Sequence, residues 1–287
     1  MKKILTLFLL LFPASVVAQQ PAVEAPPQID AELKDLSWNR YTTKNFTILS
    51  IDNEKGKWLS ENIEGIKASA LNRWGFPDVK FSKECRIFAV PNYSLLQKLF
   101  NLSASKVQFR KELNAMWIVV DDKPAKSLLP SLTQVALFEY EVAEKTTLPL
   151  WFKRGAAALN GAVVDVRQSL KSFYDVARKE QFAFTTEQMF QFAEEDFNKQ
   201  NIDNKRQFDQ QAMCLCLLLR KEFGEAKLQG FLRLQSKNKA ELVLNVVYGF
   251  KDFQQFDKSY VQFMKDLCSD IDDNDCPDDY LEIVAAR

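Results

Sequence analysis

Short segments in the first part of the chain have the patterns of β-strands, one alternating between hydrophobic and polar residues and others mainly apolar. The segment Asn45 to Ile51 alternates in this way, and Arg86 to Val90 and Ala115 to Val120 predict two further strands. Asp52 or Asn53 can cap a helix after the first strand. Its predicted apolar stripe consists of Leu59, Ile63, Ile66, Ala70 and Trp74.

The second half of the chain is predicted to be almost entirely helical. No proline occurs between Pro149 and Pro277, and apolar residues recur at a spacing near 3.6. The segment Cys214 to Leu219 is apolar nearly all round, so we expect a central helix there. The predicted fold class is therefore α+β, with a small mixed β-sheet and helices over residues 37–147 and a mainly helical subdomain over 148–287.

The composition is that of a globular protein, and it excludes several kinds of chemistry. The 287 residues include 38 basic and 38 acidic side chains, a balance that offers no basic face for nucleic acid. No histidine occurs, which excludes Ser-His-Asp and Cys-His catalysis and any zinc site that uses imidazole. The eight glycines form none of the patterns that cradle phosphate groups.

The N-terminus has the layout of a secretory signal peptide. Two lysines precede an apolar run from Ile4 to Phe12, and cleavage is predicted after Ala18, which makes residues 1–18 the signal. The apolar run is too short to span a bilayer, and no later segment is expected to span one. The mature protein is expected to be periplasmic or secreted. Residues 19–36 are rich in Pro, Gln and Ala and are interpreted as a flexible leader.

Five cysteines in an oxidising compartment allow at most two disulfides. Cys268 and Cys276 bracket a short polar loop and are the predicted pair. Cys214 and Cys216 lie two residues apart on a predicted helix, so their thiols point in different directions and are expected to be buried apolar groups. The segment Asp270 to Asp275 begins like a calcium loop but lacks glycine at the sixth position, and a solvated turn is favoured.

The segment Ser131 to Gly161 carries a resemblance to a known family. Residues 148–157, with the sequence LPLWFKRGAA, and the amphipathic helix before them are similar to the gluzincin zinc metallopeptidases of the peptidase-MA-like group. In that family two histidines of an H-E-x-x-H helix and a later glutamate hold zinc, and the glutamate between the histidines activates water. The resemblance implies a zincin-like fold over about residues 40–267.

The frame of the family motif is kept in this chain, while its metal ligands are replaced. Phe138 and Val142 stand at the two histidine positions, and Arg154 stands at the position of the third ligand. Glu139 occupies the position of the general base. The resemblance therefore implies a degenerate site with no metal and no other cofactor. Phe138 and Val142 are expected to fill the space of the metal, and we hypothesise that Arg154 pairs with Glu139.

The same residues also have an interpretation that needs no family. Leu132, Val135, Phe138 and Val142 form one apolar stripe, which is typical of a helix buried against a sheet. Both interpretations predict that Phe138 and Val142 are packed inside the protein.

The favoured function is that of a catalytically inactive pseudopeptidase, which binds a peptide or protein in the former active-site cleft or acts as a scaffold. In zincin-like folds the strand before the site helix pairs with an extended peptide, and Ala115 to Val120 is expected in that role. Trp117, Tyr140 and Trp151 are the candidate cleft residues. Two alternatives stay open: a hydrolase that uses Glu139 with other carboxylates, and a structural subunit of a cell-envelope complex.

Overall fold

A five-stranded sheet and the helices that follow it make up the computed structural model, which describes residues 37–100, 107–110, 113–120, 124–161 and 163–272. The strands are β1 (Asn39–Thr42), β2 (Phe46–Ser50), β3 (Cys85–Val90), β4 (Val107–Arg110) and β5 (Ala115–Val119). Their order across the sheet is β1-β2-β3-β5-β4. β2, β3 and β5 run parallel, while β1 and β4 pair antiparallel with their neighbours, so the sheet is mixed.

Helices surround the sheet in the first half of the chain and form nearly all of the second half. The first three are α1 (Asn53–Asn72), α2 (Tyr93–Phe100) and α3 (Pro124–Glu144). The later helices are α4 (Leu150–Leu159), α5 (Val163–Lys179), α6 (Thr186–Gln191), α7 (Glu194–Asn198), α8 (Ile202–Leu217), α9 (Glu225–Gln235), α10 (Ala240–Tyr248) and α11 (Phe253–Asp272). A π-helical turn at Leu218–Glu222 follows α8. The predicted α+β class, with a small mixed sheet followed by helices, is confirmed.

Alternating side chains of the parallel strands build two apolar layers, because successive residues of a strand point to opposite faces. Ile87 and Met116 lie on the face that packs against α1 and α3. Phe88 and Trp117 lie on the opposite face, together with Leu96 of α2. The sheet is therefore covered by helices on both sides.

The three predicted strands and the first helix are present. Asp52 caps α1, and its side chain accepts a hydrogen bond from the backbone N–H of Lys55 at 3.0 Å. Strands β1 and β4 were not predicted. Each has only four residues, so neither offers enough alternation for a periodic pattern to stand out.

Helix α3 passes from the core of the sheet into the core of the helical part. Its side chains Leu128, Leu132 and Val135 pack against the sheet, whereas Leu137 and Tyr140 belong to the large cluster formed by the later helices. The described residues from Ser37 onward belong to one compact unit. The two predicted subdomains therefore share this helix as part of both cores.

Helices α4 and α8 approach each other closely at Gly155. A Cβ atom at this position would overlap the carbonyl oxygen of Ala212 and come within 2.7 Å of the Sγ atom of Cys216. Cys214 and Cys216 are both fully buried on α8, as predicted. The glycine of the segment LPLWFKRGAA therefore has a packing reason that is independent of any catalytic role.

Several predictions fall on parts of the chain outside the described residues. These are the signal peptide, the leader, Cys276 and the acidic segment from residue 273 onward. Cys268 itself is a buried free thiol in the structure, and its pairing with Cys276 stays a prediction. Within the described ranges, none of the helices has the length and apolar character needed to cross a membrane.

Candidate functional site

Glu139 lies in a buried position on α3 and is bound by the loop before β3. Its side chain is only 1% exposed. The Oε2 atom accepts hydrogen bonds from the backbone N–H of Ser82 at 2.8 Å and from the Ser82 hydroxyl at 2.9 Å. Burial of a carboxylate is costly unless such bonds replace its hydration. Glu139 therefore fastens the loop between α1 and β3 to the predicted site helix.

The same loop is also fixed from the side of α1 and β2. Lys67 is fully buried, donates to the carbonyl oxygen of Val79 at 2.8 Å and pairs with Asp78 at 2.9 Å. Asn45 accepts a hydrogen bond from the backbone N–H of Phe81 at 2.8 Å. These contacts hold the loop in place beside Ser82, so the donors of the Glu139 contact are positioned in advance.

The hypothesis that Arg154 pairs with Glu139 is wrong. Arg154 lies on a part of α4 that is turned toward α8, where its guanidinium group forms a two-pronged ion pair with Asp209, with Nη2 2.6 Å from Oδ2. The guanidinium also lies over the ring of Phe197, 3.8 Å from its centroid. Glu139 instead takes its hydrogen bonds from Ser82. The charges of Arg154 and Glu139 thus have separate partners.

Val142 does not fill a buried space, because its side chain is 43% exposed. Phe138 is half-buried, and its ring lies 6.4 Å from the ring of Phe109 on β4. The reason is the length of α3: its 21 residues extend over about 31 Å. The sheet is shorter than this in both directions, about 20 Å along its longest strand of six residues and about 19 Å across five strands. The predicted stripe is buried at Leu132 and Val135, lies near the outer strand β4 at Phe138 and is exposed at Val142.

Two of the three candidate cleft residues are core residues. Trp117 is 2% exposed, stacks on Phe88 at 5.6 Å and lies on the face of the sheet opposite to α3. Trp151 is fully buried and packs edge-on against Phe190 at 5.3 Å. Neither ring is available to a ligand in this conformation. Tyr140, the third candidate, borders an open cavity.

The strand expected to pair with a peptide lies in the interior of the sheet. Ala115 to Val119 pairs with β3 on one side and with β4 on the other, so both of its edges are occupied. The prediction that this strand pairs with an extended peptide is therefore wrong. The outermost strand on that side is β4 (Val107–Arg110), which precedes it in the chain.

A thiol lies near the buried carboxylate and is held in its neutral form. Burial raises the pKa of Cys85 to about 12, and the negative charge of Glu139 adds to the increase, while Arg86 opposes it. A cysteine acts as a nucleophile through its thiolate. Cys85 is therefore a packing residue near neutral pH.

The residues that the resemblance places at zinc-ligand positions do not fit a metal ion. Phe138 and Val142 carry no donor atoms, and Arg154 is a cation that is already paired with Asp209. Among the described residues, no three acidic or cysteine side chains come together in a group that could hold a metal.

An open cavity of about 470 Å³ lies at the C-terminal end of α3. Tyr140 contributes to its floor, and Arg233 of α9 lies at its rim. Sequence reasoning named Tyr140 but missed Arg233, as well as Ser82 and Asp209, the partners of Glu139 and Arg154. No local motif marks these three residues, since Ser82 and Asp209 are far in the chain from their partners and Arg233 is far in the chain from Tyr140.

The sequence matches no protein-family model, and no curated protein is significantly similar to it. The resemblance to gluzincin peptidases therefore depends on residues 131–161 alone and stays a prediction.

Proposed function

We propose that the protein is an exported pseudopeptidase: a relative of the gluzincin peptidases, with a zincin-like fold, that binds a peptide or protein without hydrolysing it. The observation that carries this proposal is the environment of Glu139. Its carboxylate is 1% exposed and accepts two hydrogen bonds from Ser82. A general base has to reach the water or substrate from which it takes a proton. A carboxylate that is enclosed and bound in this way serves the fold instead.

The lack of metal-binding side chains at the three ligand positions also supports the proposal. Two of the three ligand positions are hydrocarbon side chains, and the third, Arg154, is engaged by Asp209. A hydrolase that uses Glu139 would require this carboxylate to leave Ser82 and become exposed to water. The cavity beside Tyr140 is the proposed place for the partner, because it is adjacent to the site helix and open to solvent.

Metal analysis and a peptidase assay test the proposal together. The purified protein is incubated with Zn²⁺, dialysed and analysed for bound metal, and a set of fluorogenic peptides is then tested for cleavage. We expect no stoichiometric zinc and no cleavage above that of the buffer. The matched control is Glu139→Gln, which keeps the shape of the side chain and an acceptor for Ser82.

One zinc ion per chain, or cleavage that disappears in Glu139→Gln, would overturn the proposal and favour the hydrolase. Export is tested separately by N-terminal sequencing of the protein recovered outside the cytoplasm. The expected first residue is Gln19, directly after the predicted cleavage site.

A further inference from the structure

The cavity at the end of α3 has an apolar floor. Phe76, Tyr140, Leu148 and Leu232 line it, and each of these four is less than one-tenth exposed. The rings of Phe76 and Tyr140 lie 4.5 Å apart and form an aromatic corner. The volume of about 470 Å³ lies within the range of roughly 300–1,000 Å³ that is typical of small-ligand pockets. The floor is suited to an aliphatic or aromatic group.

The rim of the cavity carries more positive than negative charge. The cavity is lined by three cationic residues, Lys145, Arg233 and Lys237, and by one acidic residue, Glu144. The hydroxyl group of Thr146 lies on the same rim. All three cations are on exposed residues, and among the described residues none of them is in an ion pair, so their charges are available to a ligand.

Arg233 lines the cavity together with Tyr140, and its positive charge acts on the phenol of that residue. Burial raises the pKa of the Tyr140 phenol, and Glu144 adds to the increase, whereas Arg233 acts in the opposite direction. The guanidinium group is therefore close enough to the phenol to influence its charge. A planar guanidinium near an apolar surface favours a carboxylate, which it can bind through two parallel hydrogen bonds.

Lys145 adds a conformational observation. It lies just after the C-terminus of α3 with a φ of 50°, a left-handed conformation for which glycine is the usual residue. The backbone N–H of Thr146 donates to the carbonyl oxygen of Glu141 at 3.1 Å and closes this turn. A lysine there places a positive charge beside the carbonyl oxygens at the C-terminus of α3, and its residue also lines the cavity.

We propose that this cavity binds an apolar residue that bears a free carboxylate, such as the C-terminus of a peptide ending in phenylalanine or leucine. The apolar side chain lies on the floor beside Tyr140, and the carboxylate lies between Arg233 and Lys237. This inference rests on the proposed function, because it specifies what the bound partner presents to the protein. The excess of positive charge at the rim disfavours a cationic residue in the same place, and an amidated terminus, which is neutral, forms no ion pair with it.

Isothermal titration calorimetry with the full chain tests the inference with three probes. The first is acetyl-Ala-Ala-Phe with a free carboxylate, and the second is the same peptide as the amide. We expect the acid to bind at least about tenfold more tightly, since only the acid forms charge-assisted hydrogen bonds. The third probe, acetyl-phenylalanine, distinguishes the sources of this chemistry. Weaker binding than that of the tripeptide indicates a peptide terminus, and equal binding indicates a small aromatic carboxylate.

Charge-removing variants locate the binding site. Arg233→Gln and Lys237→Gln are each expected to weaken binding of the acid by up to about tenfold. Glu144→Gln is expected to tighten it several-fold, because it removes the opposing charge. Lys251→Gln removes an exposed lysine outside the cavity and is the matched control, for which unchanged affinity is expected. Higher salt is expected to weaken binding of the acid more than that of the amide.

Equal affinity for acid and amide would overturn the inference, and so would unchanged affinity in Arg233→Gln and Lys237→Gln. Absence of binding by any probe to the folded protein, as verified by circular dichroism, would overturn it too. The failure of the proposed function is distinguishable from these outcomes. Zinc-dependent cleavage of peptides would refute the pseudopeptidase and leave a carboxylate site at Arg233 intact.

Discussion

Replacement of Gly155 by alanine is expected to destabilise the protein, although alanine is the better helix former. The added Cβ atom would overlap the carbonyl oxygen of Ala212 and lie 2.7 Å from the Sγ atom of Cys216. The first of these contacts is with backbone, so relief requires a movement of α4 relative to α8. Overpacking of a close-packed core costs about 1–3 kcal/mol, and the backbone contact places this site at about 3 kcal/mol.

The gain in helix propensity offsets part of that cost. Alanine is favoured over glycine inside a helix by about 1 kcal/mol, so the net loss in the free energy of unfolding for Gly155→Ala is about 2 kcal/mol. Two other glycines provide matched controls. At Gly65 in α1 and Gly230 in α9, an added Cβ atom would meet no other atom within 4 Å. Gly65→Ala and Gly230→Ala are therefore expected to stabilise the protein by up to about 1 kcal/mol each.

The assay is urea denaturation followed by tryptophan fluorescence, with thermal unfolding as a second measurement. For a chain of this size, a loss of about 2 kcal/mol lowers Tm by roughly 4–8 °C. The opposite signs at Gly155 and Gly65 are the decisive result, since the chemical change is identical. A neutral or stabilising Gly155→Ala would refute the close approach of α4 and α8.

Three further predictions concern Arg154, Glu139 and Cys85. A double-mutant cycle of Arg154 and Asp209 should give a coupling energy of about 1 kcal/mol, because both side chains are partly exposed. The cycle of Arg154 and Glu139 should give a coupling energy of about zero. A larger coupling energy for Arg154 and Glu139 than for Arg154 and Asp209 would contradict the assigned partners. Glu139→Ala should cost about 3 kcal/mol in urea denaturation, since it leaves the two donors of Ser82 without their acceptor, and a loss below about 1 kcal/mol would argue against that contact. The free energy of unfolding should fall as pH rises from about 9 to 12, because burial raises the pKa of Cys85 to about 12 and the folded state then holds a proton that the unfolded state releases. Cys85→Ala should make this decline less steep. An unchanged slope in the variant would contradict the assigned role of Cys85.

The local pattern of the sequence was sufficient for the elements with clear periodicity. Strands β2, β3 and β5, helix α1 and the central position of Cys214 and Cys216 follow from the spacing of apolar residues. Asp52 and Asn53 were both candidates for the cap of α1, and the structure has Asp52 in that place. The overall class follows as well, because strands occur only before the long helical half. Short strands such as β1 lacked enough residues for the same reasoning.

The partners of the charged residues depended on the tertiary structure. Arg154 and Glu139 were paired from a family frame, yet Asp209 and Ser82 reach them from distant parts of the chain. Hydrogen-bond partners are selected by distances of about 3 Å, and spacing along the chain does not encode such distances between separate elements.

The order of the strands was also decided in three dimensions. Ala115 to Val119 has the apolar composition of a buried strand, and this much the sequence alone determined. Its position between β3 and β4, with both edges paired, arose from the return of the preceding β4 to the outside of the sheet. The exposure of Val142 was decided in three dimensions as well. Periodicity predicts which face of α3 is apolar. The extent of the sheet that packs against α3 determines where along this face burial ends.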